Sequence, residues 1–135
     1  MAGTVFLSLA DRDKRSGLEA ARQFADLGFE LAATSGTAAM LESEGSGVAT
    51  VVAKGGDPEG VDAVALLSSG KVQLVVNTPR GRGPRADGDH IRATALAHQV
   101  PCLTTVAAAR AAAAGIADWI RHPLSVRSLQ EYHAR

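Results

Sequence analysis

The stretch Ala33-Thr34-Ser35-Gly36-Thr37-Ala38 decides how the rest of this chain is interpreted. It follows a short apolar segment, residues 29–32, and precedes a helix-like run from Ala38 to Glu44. Three hydroxyl residues and a glycine are therefore expected where a strand leads into a helix. At such a junction, free backbone N–H groups and the positive end of the helix dipole can hold an anion. A second interpretation stays open, in which Thr34 or Ser35 only caps the helix, because Ser and Thr are preferred at that position.

The composition limits the classes of protein to which the chain can belong. Its 135 residues suffice for one domain with one core, so we expect residues 1–135 to form a single domain. Fourteen basic and fourteen acidic residues give no net charge, which argues against a nucleic-acid partner. The single cysteine, Cys102, excludes an internal disulfide and favours a reducing compartment. Without a visible signal peptide or membrane-spanning run, the expectation is a cytoplasmic protein with no membrane partner.

Strand-like and helix-like segments alternate along the whole chain. Short connections and right-handed crossovers then predict a three-layer α/β/α sandwich around a central five-stranded parallel sheet. Ser16 and Glu19 fit a capping box at the start of the first helix, and Gly115 is expected to end the fifth. The expected strands are Thr4–Leu9, Phe29–Ala33, Val48–Val52, Val72–Val76 and Pro101–Thr105; the expected helices are Ser16–Leu27, Ala38–Glu44, Val61–Ser69, about His90–His98 after a cap at Asp87 or Asp89, Val106–Ala114, and a last short one at Ser125–His133.

Polar loops follow the strands at the edge of the sheet where ligands of such folds bind. Lys14 follows the first strand and Lys54 the third, and either ammonium group could neutralise a phosphate at the second helix. Asn77 and Thr78 end the fourth strand, where an amide suits the edge of a base or sugar. Taken singly, these residues also fit solvated loop lysines and an ordinary strand-ending turn.

Other reactive side chains show no arrangement typical of catalysis. Asp57, after two glycines, could serve as a general base, but it needs a partner group that the sequence does not identify. The histidines are expected on helices or near the C-terminus, with no metal-ligand spacing, nucleophile elbow or dinucleotide fingerprint. Cys102 is expected to be a buried packing residue. We therefore expect no cofactor and no metal.

The motifs taken together resemble a known family. From about Thr4 to His133 the chain is similar to the methylglyoxal-synthase-like domain, and most of all to the C-terminal allosteric domain of carbamoyl phosphate synthetase large subunits. The resemblance is carried by Asp13-Lys14, by residues 28–38, by Val75-Val76-Asn77-Thr78, by the segment from Asp87 to Arg92, by Thr104-Thr105 and by residues 125–131.

The resemblance implies a regulatory domain that binds UMP or IMP and has no catalytic residue of its own. The parent chain would then be an ATP-dependent ligase of arginine and pyrimidine biosynthesis, whose partners are the other domains of the large subunit and the glutaminase small subunit. The implied phosphate and nucleotide ligands are Lys14, Thr34, Ser35, Gly36, Thr37, Lys54, Asn77 and Thr78.

Two positions depart from the pattern of that family. Thr104 matches a position associated with ornithine control, but Leu103 stands where an acidic residue often precedes the threonine. Pro79 replaces a hydroxyl residue after Asn77-Thr78, which could change the contacts to the base.

The alternative implied by the resemblance is methylglyoxal synthase, which eliminates phosphate from dihydroxyacetone phosphate. Gly55-Gly56-Asp57 resembles the catalytic segment of that enzyme. However, Arg12 stands where the enzyme has a histidine, and Asn77-Thr78-Pro79 replaces its Trp-Asp-Pro. A third alternative is a stand-alone nucleotide sensor or purine-pathway relative with the same fold.

Overall fold

Five parallel strands form one sheet in the computed structural model, which describes residues 3–52, 63–78 and 86–121. All four neighbouring pairs run parallel, in the order β3-β2-β1-β4-β5. The strands are β1 (Thr4–Ser8), β2 (Glu30–Thr34), β3 (Thr50–Val52), β4 (Val72–Asn77) and β5 (Cys102–Leu103).

A helix follows each strand along the chain, as the alternating pattern predicted. The helices are α1 (Lys14–Asp26), α2 (Ser35–Ser43), α3 (Ala63–Ser68), α4 (Ala86–Ala97) and α5 (Val106–Arg121). The predicted α/β class with a central five-stranded parallel sheet is thus confirmed. A single domain over residues 1–135 stays a prediction, because the described ranges have gaps.

The two faces of the sheet carry separate hydrophobic cores, which makes three layers. Along β1, Val5 and Leu7 pack on the face covered by α1, α2 and α5, whereas Phe6 packs on the face covered by α3 and α4. This alternation follows from the two-residue period of a strand. Because both faces are covered, all five residues of β1 are buried, as in parallel sheets generally.

The order of the strands brings β1 and β4 together in the middle of the sheet. The chain moves outward from β1 to β2 and β3, and then returns to β4 on the other side of β1. In the register of this pair, Ser8 lies opposite Asn77. The carboxyl ends of the strands therefore meet at one edge, at the point where α/β sheets usually bind ligands.

The predicted start of α1 and the predicted end of α5 are wrong. The capping box fails because α1 already begins at Lys14, so Ser16 lies in its first turn and its hydroxyl donates to the Asp13 carbonyl. Gly115 does not end α5, which continues to Arg121. Ile116, which follows the glycine, packs against the same core as Ala109 and Ala113, and an interior glycine costs only about 1 kcal/mol.

Smaller differences concern the lengths of two strands and the start of α4. The predicted β3 and β5 were longer than the three and two residues that are paired. Asp87 and Asp89 lie within α4 and do not precede it, since this helix includes Ala86. The helix predicted at residues 125–133 lies outside the described residues. Within the described ranges, no helix combines the length and the apolar character that a membrane span requires.

Candidate anion site at the carboxyl edge of the sheet

The junction between β2 and α2 lies where the sequence predicts it, although α2 begins at Ser35 and not at Ala38. Thr34 is both the last residue of β2 and the N-cap of α2, with an extended backbone. Among the described residues no side chain caps this helix: the Thr34 hydroxyl donates to Thr37 Oγ1 at 3.2 Å and not to a backbone amide. Ser35 and Gly36 are exposed in the first turn. The amino end of α2 therefore faces solvent with its positive dipole end uncapped by a side chain.

The side chain of Lys14 reaches the amino end of α2. A Cβ atom built on Gly36 would lie 3.3 Å from the Lys14 ammonium nitrogen. The same nitrogen forms an ion pair with Asp11 Oδ1 at 2.7 Å. The Asp11 side chain is 95% exposed, so this pair contributes little to stability and a bound anion can replace it. A cation and a helix amino terminus thus converge on one point.

Threonine hydroxyls hold the chain where it leaves β1. The Leu9 amide donates to Thr37 Oγ1 at 3.1 Å, and the Ala10 amide donates to Thr78 Oγ1 at 2.7 Å. Both hydrogen bonds are buried, and Thr37 and Thr78 are 1% and 3% exposed. An unpaired amide at these positions would cost about 1–3 kcal/mol, so the two hydroxyls fix the path of residues 9 and 10.

Asn77 and Thr78 lie where β4 ends, beside the exit of β1. Both are buried, and the Thr78 amide donates to the Ser8 carbonyl at 3.0 Å. The predicted residues Lys14, Thr34, Ser35, Gly36 and Thr37 therefore gather around the ends of β1 and β2, with Asn77 and Thr78 at the end of the neighbouring β4.

The structure does not place every predicted site residue in this cluster. Lys54 and Asp57 lie outside the described residues. Thr104 follows β5, three strands from β2, which corresponds to about 14 Å at the usual strand spacing. Thr104 is exposed, and the neighbouring Thr105 hydroxyl accepts the Ala108 amide at the start of α5.

The sequence did not reveal the role of the backbone after β1. The hydrogen bonds of Leu9 and Ala10 join residues that are 28 and 68 positions apart, and no local pattern signals such a contact. Gly17 was likewise missed: a Cβ atom there would collide with Leu9 Cδ1, so glycine allows α1 to pack on the exit of β1. The sequence offered one signal for this contact, namely that Gly17 lies in the first turn of a helix whose other residues are typical of helices.

The described residues contain no candidate metal site. No group of three or more histidine, cysteine or acidic residues there could hold a metal ion. Cys102 was expected to be buried and is half-buried beside the core under α3 and α4; burial raises the pKa of its thiol, and the Arg92 charge opposes that rise. A cavity of about 290 Å³ lies at the opposite, amino edge of the sheet, lined by residues that include Val72, His98 and Pro101.

Comparison with known proteins points to one family. The family model described as "MGS-like domain" matches residues 16–104. The chain is 48% identical, over 98% of its length, to the carbamoyl phosphate synthase large chain of Rubrobacter xylanophilus. The corresponding large chains of Mycobacterium tuberculosis and Streptomyces avermitilis are 47% and 49% identical over 97% and 96% of it. The chain spans only 12% of the length of each of these relatives.

Proposed function

Because this chain belongs to the family of MGS-like domains, we propose that it is the regulatory domain of a carbamoyl phosphate synthase large chain. Its ligand would be a nucleoside monophosphate, UMP or IMP, that acts as an allosteric effector. The observation that carries this proposal is the Lys14 ammonium group at the uncapped amino end of α2. A phosphate dianion matches both features, since charge and free N–H groups are the usual means of holding it.

The phosphate of the effector would bind over the first turn of α2. Lys14 would replace its exposed partner Asp11 with a phosphate oxygen, and the amides of Ser35 and Gly36 would donate to the same group. Thr34 and Lys54 complete the proposed phosphate ligands, together with the hydroxyl proton of Thr37, since the oxygen of that group already accepts the Leu9 amide. Lys54, which follows β3, is proposed from the sequence alone.

The base and ribose would extend toward β4. Asn77 ends this strand next to β1, and an amide there can both donate to and accept from a base edge. Thr78 lies beside it. The phosphate would then lie over the ends of β1 and β2, with the nucleoside over β4, across the point where the strand order reverses.

The effect of the ligand would pass to the remainder of a longer protein. The relatives are about eight times longer than this chain, so we propose that the other domains of the large chain and a glutaminase small subunit are its partners. The parent would act in arginine and pyrimidine biosynthesis in the cytoplasm. Regulation requires that the effector bind two states with different affinity, typically by about 1–3 kcal/mol. An ornithine-linked role of Thr104 would belong to a separate place on the domain.

Calorimetric titration of the purified chain tests this proposal. UMP and IMP are titrated separately, with inorganic phosphate as the control. We expect saturable binding of at least one nucleotide that is tighter than the binding of phosphate. Equal affinity for nucleotide and phosphate would contradict the regulatory function, and methylglyoxal formation from dihydroxyacetone phosphate would then be assayed for the alternative enzyme.

A further inference from the structure

The chain between β1 and Lys14 is held from both sides. β1 ends at Ser8, so the amides of Leu9 and Ala10 have no strand ladder to join. Thr37 accepts the first amide and Thr78 the second, and all four residues are at most 4% exposed. The Thr78 amide in addition donates to the Ser8 carbonyl. Together with the bond from the Ala10 amide to the Thr78 hydroxyl, this contact extends the pairing of β1 and β4 by one side-chain hydrogen bond.

The fixed segment leads directly to the candidate cation. The Ala10 carbonyl accepts the Asp13 amide at 2.9 Å, which closes the short 3-10 helix Asp11–Asp13 that precedes Lys14. Leu9 also packs against Gly17 in the first turns of α1. The position of Lys14 at the start of α1 therefore depends on residues 9 and 10, and these depend on the two threonine hydroxyls.

We infer that Thr78 is a positioning residue for Lys14 and that it connects the β4 side of the site to the phosphate side; this inference rests on the proposed phosphate site. Thr78 acts through the Ala10 amide and not through contact with the ligand. Its side chain is 3% exposed, and its oxygen already accepts a hydrogen bond of 2.7 Å. Removal of the hydroxyl leaves a buried amide without an acceptor, so residues 10–14 would shift and carry the Lys14 ammonium group away from Gly36.

The test compares Thr78→Val with Thr78→Ser in the natural chain and in a Lys14→Ala background. Inorganic phosphate and UMP are titrated by calorimetry at a temperature well below the unfolding transition of every variant. We expect Thr78→Val to weaken phosphate binding about 3- to 10-fold, and Thr78→Ser, which keeps the acceptor, to bind normally. In the Lys14→Ala background, Thr78→Val should have no further effect, because the residue through which it acts is gone.

Other outcomes overturn the inference. A direct contact to base or ribose would lower the affinity for UMP alone, and equally in both backgrounds. A purely structural role would lower the melting temperature and leave phosphate affinity in the folded protein unchanged. If the chain binds phosphate but not UMP, the proposed nucleotide function fails while the phosphate titrations still test Thr78. If the chain binds neither phosphate nor UMP, the proposed function and the inference about Thr78 both fail.

A measurement on the natural chain keeps the test valid should Thr78→Val not fold. The amide resonances of Ala10 and Lys14 are followed by NMR during a phosphate titration. We expect both to shift with the same midpoint, since one rigid segment carries them. A response of Lys14 without a response of Ala10 would contradict the inference.

Discussion

The ammonium nitrogen of Lys14 lies so close to Gly36 that a Cβ atom on that glycine would be 3.3 Å from it. The two residues belong to different helices, α1 and α2, which follow neighbouring strands of the sheet. Their contact places a positive side chain on the positive end of a helix dipole. An anion between them relieves this repulsion, so the arrangement favours a bound phosphate.

Gly36→Ala should weaken phosphate binding by about two- to fivefold. The new methyl group would be tighter against the ammonium nitrogen than most contacts of its kind, so the flexible lysine end must shift by a few tenths of an ångström. Charge-assisted hydrogen bonds depend strongly on such geometry. Stability should not fall, because alanine favours helix more than glycine does. Calorimetry with phosphate and a chemical denaturation curve measure the two effects.

Gly47→Ala is the matched control for this substitution. Gly47 is exposed, lies outside the helices, and an added Cβ meets no atom within 4 Å. Its phosphate affinity should equal that of the natural chain. If Gly36→Ala binds phosphate as tightly as Gly47→Ala does, Lys14 and α2 do not share a ligand.

Lys14→Ala should weaken phosphate binding by about 1.5–3 kcal/mol, or roughly 10- to 150-fold. The lysine side chain is 24% exposed, so its interaction with a ligand is less screened than at the open surface. Titrations at low and at high salt should show a shallower salt dependence in the variant, because one positive charge has been removed.

Lys71→Ala is the control that separates the effect of losing a positive charge from the effect of losing it at the proposed site. Lys71 is exposed and directly precedes β4, so it lies at the amino edge of the sheet, opposite Lys14. The Lys71→Ala variant loses one positive charge, as Lys14→Ala does, but it should bind phosphate as tightly as the natural chain. Equal losses in both variants would mean that phosphate responds to net charge and not to a site.

The sequence predicted the architecture because the strands repeat one simple pattern. The segment Leu74 to Val76 is apolar and buried at every position, which fits a strand that is covered on both faces. Helix ends were harder to predict, because they depend on tertiary packing. At Gly115 the local preference for a helix end is overcome by packing, because Ile116 beyond the glycine lies against the core.

The site could be predicted in part for a related reason. Strand ends share an edge in a parallel sheet, so the sequence alone brought Lys14 near residues 34–37. The hydrogen bonds of Thr37 and Thr78 to Leu9 and Ala10 depend on the strand order β2-β1-β4, which the sequence does not state. The role of the two threonines as ligands stays a prediction; the structure adds that their hydroxyl oxygens accept the backbone amides of Leu9 and Ala10.

Cys102 should react slowly with iodoacetamide near neutral pH. Burial raises the pKa of its thiol, so less thiolate is present than in an unfolded chain, and only the thiolate reacts. Since the chain has a single cysteine, the rate of alkylation reports on this group alone. Arg92→Gln should slow the reaction further, because the arginine charge lowers the pKa.

The same thiol gives a pH dependence of stability. As the pH rises, the unfolded chain loses the thiol proton first, while the folded chain still holds it. The free energy of unfolding should therefore fall between the ordinary pKa of a thiol and the raised pKa of Cys102. Cys102→Ser removes this dependence. A folded protein that is alkylated as fast as the chain in denaturant would refute both expectations.

Gly115→Ala should stabilise the protein by about 0.5–1 kcal/mol. Gly115 is exposed in the interior of α5, and a Cβ atom there meets nothing within 4 Å. Alanine therefore lowers the entropy of the unfolded chain without strain in the folded one. Gly28→Ala supplies the contrast, since its Cβ would meet equally open space but its φ of +97° disfavours any side chain. Urea denaturation should move the two midpoints in opposite directions at an unchanged slope; a destabilised Gly115→Ala would mean that α5 does not continue through this residue.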